Sequence, residues 1–302
     1  MEKLSSETVI DILSRLPIKS LVKFCNYEIV GSCNGLLCLF DPIVKYLTHM
    51  LNPCSGDFVF LPKPIRDLGD AVSVVVGFGF LPKRTVYKVV EIVYCRRGVV
   101  GDENDGWRSS VCVYTIGDDS WRCIGSSPYP LRGRDLSGAC VNGTLHWVSS
   151  GYDGPKLVDQ IVGFDLENEV PCPDFDSGRL NYTLGVLQGC LPATRHKCQD
   201  YVEIWVMKDY GVKESWTKCM KIVCNEVGLI IGAVQPLFFQ RNGELMLQHG
   251  GTLLCYSPLT KTLRKLRISG MPRSFKAVVH VGSLFHPECY RNTRILNLLD
   301  LA

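Results

Sequence analysis

The stretch "VCVYTIGDDSWRCIGSSPYPLRGRDLSGACVNGTLHWV", Val111 to Val148, decides the fold, because it holds two kinds of strand–turn–strand signal in succession. The first is an alternating apolar run, a polar turn at Asp118-Asp119, and Ser120-Trp121 before a second run. The second is Asn142-Gly143 between "ACV" and "TLHWV". Asn-Gly is the strongest short hairpin signal, since both central residues of a type I′ turn need positive φ. Working outward, each signal recurs. Asn-Gly stands at positions 34, 142 and 242, and Ser-Trp at positions 120 and 215. The two kinds alternate, with one unit about every 50 residues.

Three units also carry a hairpin with a polar turn: "MLNPCSGDFVFLP", "VGFDLENEV" and "CYSPLTKTLRKLRI". Each fits the outer strand pair of a four-stranded sheet. Several strands per unit at this period is the pattern of propeller blades. Five units fit between Gly31 and Ile268, and "FKAVVHVGSLF", Phe275 to Phe285, reads as a partial sixth. The expected fold class is therefore mainly β, a propeller of five to six blades; a β-sandwich of two stacked sheets is the alternative. One Trp per unit is expected to pack neighbouring blades together, because no single blade can bury its own apolar face.

Hydrophobic content of 46%, with 21% charged residues, is that of an ordinary globular chain. The net charge is only +3, and no basic run suggests a nucleic acid or an anionic membrane. The longest apolar stretch, "AVSVVVGFGFL" from Ala71 to Leu81, falls far short of the about 20 residues a bilayer needs, and reads as a buried strand pair. Charges at Glu2, Lys3, Glu7, Asp11 and Arg15 break any secretory apolar region. The 15 cysteines, odd in number and irregular in spacing, therefore read as reduced, mostly buried thiols of a cytoplasmic or nuclear protein.

The head of the chain has a different period. Ser5 or Ser6 can cap a helix, and Glu7 suits the positive end of its dipole. Val9, Ile12, Leu13 and Leu16 form one apolar stripe at i, i+3, i+4 and i+7, and Ile10 widens it. Pro17 ends this helix, and a second short one is expected over about Ile18 to Phe24, with Leu21 and Phe24 on one side. So short a helix is marginal alone in water, so its stripe must be buried, either on this chain's own body or on a partner.

"LSSETVIDILSRLPIKSLVKF", Leu4 to Phe24, resembles the first half of a plant F-box through Leu4, Glu7, Ile12, Leu13, Arg15, Leu16, Pro17, Lys19, Ser20 and Leu21. Ser5 departs from the proline usual there. After Cys25 the family continues with a Trp-containing segment and a third helix, whereas this chain has "NYEIVGSC", so the F-box is truncated after its first half. The resemblance implies docking on a Skp-type adaptor, and through it a cullin, by Leu4, Val9, Ile12, Leu13, Leu16, Pro17 and Leu21. The strand units, in their order from "VGSCNGLLCL" to "YVEIWVMKDYGVKESWTK", resemble the plant F-box-associated domain, which implies a kelch-like propeller. That resemblance implies recruitment of a target protein for ubiquitination, without catalysis. The division expected is a partial F-box over 1–26, the propeller over 31–287 and a tail over 288–302. A propeller that has lost adaptor docking through the truncation is the second reading.

Catalytic and metal chemistry finds little footing. "GFGF" at Gly77 to Phe80 lacks the Lys-Ser/Thr of a phosphate loop, no Gly-x-Ser-x-Gly occurs, and neither the six histidines nor the Cys pairs have zinc spacing. No cofactor is expected. Asp118 and Asp119 read as turn residues rather than as a sialidase-like box. Target contacts are not assigned by the sequence. The polar connections "PYPLRGRD", Pro128 to Asp135, and "ATRHKCQD", Ala193 to Asp200, are the candidates, expected to be exposed. The end of the chain, Arg291 to Ala302, has a Leu/Ile pattern suited to a short helix.

Overall fold

In the computed structural model the described residues are 27–41, 43, 46–64, 71–96, 107–131, 137–153, 156–178, 182–197, 201–223, 234–266 and 275–283. They form five four-stranded antiparallel sheets, each a simple meander in chain order. Blade 1 holds β1 (Glu28–Cys33), β2 (Leu36–Asp41), β3 (Tyr46–Leu51) and β4 (Phe58–Phe60). Blade 2 holds β5 (Ala71–Leu81), β6 (Val86–Arg96), β7 (Trp107–Thr115) and β8 (Arg122–Gly125). Blade 3 holds β9 (Ala139–Val141), β10 (Thr144–Asp153), β11 (Lys156–Asp165) and β12 (Val170–Gly178). Blade 4 holds β13 (Tyr182–Leu184), β14 (Pro192–Lys197), β15 (Tyr201–Met207) and β16 (Trp216–Val223). Blade 5 holds β17 (Val234–Phe239), β18 (Leu245–His249), β19 (Thr252–Ser257) and β20 (Thr262–Leu266). The result is a five-bladed β-propeller with no α-helix among the described residues. The two predicted head helices, the Arg291–Ala302 helix, and Leu4, Val9, Ile12, Leu13, Leu16, Pro17 and Leu21 all lie outside those residues.

The alternation of side chains along a strand explains why the blades stack. Successive residues point to opposite faces, so a strand lying between two other blades must be apolar at every position. "LLCLF" of β2 is such a strand. Leu36, Cys38 and Phe40 pack against Val76, Phe78, Tyr87 and Val89 of blade 2. Leu37 and Leu39 face the other way with Leu51. In β6, Val90, Ile92 and Tyr94 turn toward Leu145, Trp147, Val162 and Phe164 of blade 3. Val202, Ile204 and Ile222 of blade 4 meet Leu245, Leu247, Leu254 and Tyr256 of blade 5 in the same way.

Trp121 and Trp147 pack neighbouring blades as the repeat predicts. Trp121 is buried in the core between blades 1 and 2, and its indole N–H donates to Pro62 O at 2.6 Å. Trp147 of blade 3 donates to Val76 O of blade 2 at 3.3 Å. The inner strand β5 explains "GFGF". A Cβ at Gly77 would overlap Leu145, and one at Gly79 would press on Leu166 at 2.6 Å, so glycine is what lets blade 3 close on blade 2.

Three expectations need correction. Ala71–Leu81 is one long strand, not a strand pair, because its glycines serve close packing and carry no turn. The thiols are not all reduced: Cys112 and Cys123, neighbours across β7 and β8, form a disulfide, and Cys219 is exposed. Residues 275–283 form no partial sixth blade. They run without strand pairing, turn or bend from blade 5 to blade 1. Gln248 on β18 donates to Phe275 O at 2.6 Å and accepts from Ala277 N at 2.7 Å. At the other end, Asn52 Nδ2 donates to Ser283 O at 2.9 Å, and His280 approaches Cys54 at 3.9 Å.

Candidate interaction surface

An antiparallel meander places the first-to-second and third-to-fourth connections of a blade at one end of its strands. On this turn face the two Asn-Gly hairpins at the odd blades 1 and 3 have both residues at positive φ: Asn34 (43°) with Gly35 (86°), and Asn142 (50°) with Gly143 (74°). Blades touch one another here. The Tyr87 hydroxyl of blade 2 donates to Asn34 O at 3.0 Å, and Tyr210 of blade 4 pairs with His146 of blade 3 at 3.0 Å.

Between blades 2 and 3 the turn face is closed by ions. Glu169, in the β11–β12 turn, receives the Lys88 ammonium at 2.8 Å and both arms of the Arg122 guanidinium at 2.6 and 2.7 Å. Lys88 also donates to Leu166 O at 2.6 Å. The Lys88 side chain is only 6% exposed, whereas that of Arg122 is 56% exposed. The Arg122 hydrogen bonds and the Lys88 ammonium hold the Glu169 carboxyl down at about 2 against the cost of its burial. Two further acids are also satisfied within their own blades. Burial works to raise Glu203, but hydrogen bonds from Lys218 and Trp205 leave it lowered. Glu244 is lowered by Asn242 and Cys255 hydrogen bonds, with Arg264 adding to them.

Ionised carboxylates tied to cations are poor proton donors at neutral pH. Two half-buried thiols are equally inert, since burial pushes Cys33 up to about 12 and Cys140 up to about 11. Burial lowers His146 to about 4, so it stays neutral beside Tyr210. Among the described residues no cluster of three His, Cys, Asp or Glu side chains could hold a metal.

Blades 4 and 5 present the opposite chemistry on the turn face. Val186 (42% exposed) sits in the β13–β14 connection, Val212 (45%) in the β15–β16 connection and Leu259 (90%) at the β19–β20 turn. Exposed apolar tips on adjacent blades are the kind of feature that marks a protein contact.

The two candidate connections turn out differently from expectation. Within Pro128–Asp135, the part up to Leu131 is wedged between blades 2 and 3: Leu131 is buried, Tyr94 donates to Tyr129 O at 2.6 Å, and Ser149 to Pro130 O at 3.2 Å. Within Ala193–Asp200, residues to Lys197 belong to β14, with Ala193 and Thr194 buried and His196 accepting from Val234 N at 3.1 Å. Neither described part is an exposed contact loop. The Glu169 clamp, the apolar tips and the Gln248 anchor were not singled out in the sequence. Only Leu259, an aliphatic residue inside a Ser-Pro-Leu-Thr-Lys turn, left a readable signal.

Comparison with known proteins agrees with this geometry. Residues 3–295 match the family described as F-box associated beta propeller domain. The chain is 34% identical over 298 residues to F-box protein At3g07870 of Arabidopsis thaliana, covering 85% of this chain and 70% of that protein. It is 29% identical over 280 residues to F-box protein CPR1 of the same plant, covering 85% and 67%. To F-box/kelch-repeat protein At3g23880, also of Arabidopsis thaliana, it is 28% identical over 236 residues, covering 76% and 61%. The family match over residues 3–295, with these relatives, places this ring of meander blades among the plant F-box proteins that carry an F-box-associated β-propeller domain.

Proposed function

We propose that the chain is a substrate-recognition subunit of a Skp–cullin–F-box ubiquitin ligase. The apolar stripe of residues 4–21 docks a Skp-type adaptor through Leu4, Val9, Ile12, Leu13, Leu16, Pro17 and Leu21, and the propeller holds a target protein. The chain contributes no chemistry of its own. It brings target and ubiquitin-charged enzyme together, which raises their effective concentration. The work belongs in the cytoplasm or nucleus. The observation that carries this reading is the continuous family match over residues 3–295, which takes in the F-box-like head as well as the blades. The exposed tips Val186, Val212 and Leu259 support blades 4 and 5 as part of the target-facing surface.

A second reading, a target-binding propeller without adaptor docking, is favoured by one observation. Tyr27 already packs on Leu37, Leu39 and Leu51, and β1 opens at Glu28, so no third F-box helix fits between head and blade. Co-precipitation of the full chain with a Skp-type adaptor separates the two. Micromolar or tighter association supports ligase membership, whereas no binding by a folded propeller leaves only the second reading.

A further inference from the structure

The seam between blades 5 and 1 leaves a length of backbone without sheet partners among the described residues. Residues 275–283 are pinned at both ends, by Gln248 at Phe275 and Ala277 and by Asn52 at Ser283. Between these pins, no N–H or C=O of Val278 to Gly282 is paired in a sheet ladder or bonded to a side chain among the described residues. The run has no turn or bend and no positive φ. Val279 and Val281, two residues apart and so on one side of an extended run, are 41% and 71% exposed. An unpaired extended backbone is a template for another strand.

The outermost strands of the ring are blunted. β4 has three residues, β8 carries Arg122, β12 carries Pro171 and Pro173, β16 carries Lys218 and Lys221, and β20 carries Arg264 and Lys265. Short edges, edge prolines and edge cations deter strand pairing. The stretch "AVVHVG", Ala277 to Gly282, has no such guard, and burial keeps His280 on the neutral side.

We propose that Val278–Gly282 captures an extended, uncharged segment of a recruited protein by strand addition. Backbone hydrogen bonds supply the affinity, and Val279 and Val281 meet apolar side chains at alternate positions of the guest. That the guest belongs to a ubiquitination target rests on the proposed function; the capture of a strand does not.

The test uses the full chain without adaptor, so that its failure and a failure of adaptor docking are told apart. Short peptides are selected from a displayed random library on the immobilised chain, and amide exchange is measured with and without the synthetic winner. The expected result is rapid exchange at Val278–Gly282 in the free chain and protection when the peptide binds. The peptide should alternate apolar residues, and binding should weaken roughly tenfold for Val281→Pro or for a guest N-methylated at alternate positions, as loss of a hydrogen bond or two requires. Val279→Asp, which keeps the backbone donors, should weaken it through the side-chain contact. Four results overturn the proposal: no peptide selected, protection elsewhere, equal binding of the N-methylated guest, or amides already protected in the free chain by a second copy or by its own residues.

Discussion

Replacing Glu169 by Gln removes the charge that two cations share between blades 2 and 3 and keeps the side chain's shape. It also keeps the residue in its left-handed turn position, φ 58°. The two arms of the clamp differ in what they stabilise. Arg122 is 56% exposed, so its ion pair falls in the range of about 0.2–1 kcal/mol for surface pairs. Lys88 is 6% exposed and Glu169 12%, and breaking a buried pair by neutralising one partner costs about 3–5 kcal/mol, because the other charge stays buried. Leu166 O remains as a partner for the ammonium, which favours the lower end. Glu169→Gln should therefore lower the apparent Tm by about 5 °C in differential scanning calorimetry, and Arg122→Met by a small fraction of that. Lys88→Met combined with Glu169→Gln should recover much of the loss, since an apolar replacement of the buried pair is often neutral.

Acid titration of stability gives an independent readout. The folded carboxyl is held down at about 2 against its ordinary 4.5, so between those values the unfolded chain binds more protons. This contribution is complete above about pH 4.5 and is lost as pH falls toward 2, and Glu169→Gln should lack that component of the slope. If Glu169→Gln costs no more than Arg122→Met, and its acid slope matches the parent, the burial argument is refuted.

Other outcomes follow from the packing and the head. Gly77→Ala should destabilise by about 1–3 kcal/mol in urea unfolding, because the added Cβ runs into Leu145 and Trp147 at the junction of blades 2 and 3. Trp121→Ala should cost about 3–5 kcal/mol, since it empties the core between blades 1 and 2 and frees Pro62 O, and near-ultraviolet dichroism would report the loosened packing. Thiol counting on the denatured chain should find at least two more reactive cysteines after reduction than before, from Cys112 and Cys123, and equal counts would deny that disulfide.

How much of this was legible in the sequence depended on whether a signal was local. Asn34-Gly35 and Asn142-Gly143 wrote their turn type directly, because both residues must reach positive φ. Asn242-Gly243 looked the same and is not. Only Gly243 has positive φ (82°), and the turn is a wider loop closed by Gln240 N–H donating to Glu244 O at 2.8 Å. Glu244 is drawn in by Asn242 and Arg264, a preference set by neighbours rather than by the dipeptide. The glycines of β5 were visible, but their purpose lies in Leu145 and Leu166, far along the chain. The segment "ATRH" read as a loop because it is polar. It is a strand because Ile204 and Glu203 stand opposite Thr194 and Arg195 in the ladder. Likewise "AVVHVG" had the composition of a strand, and it is a strap because no described strand pairs with it. The clamp at Glu169 joins residues 47 and 81 positions apart, beyond the reach of any short pattern.

The central claim is that an apolar head stripe links a cargo-holding propeller to the ubiquitin machinery, and reconstituted ubiquitin transfer tests it most directly. With Skp-type adaptor, cullin and charged conjugating enzyme, the full chain should itself acquire ubiquitin on its own lysines by proximity. Leu13→Asp with Leu16→Asp should abolish that transfer while the propeller's melting is unchanged. Equal transfer with and without the stripe, or none from the intact and folded chain, would contradict the account.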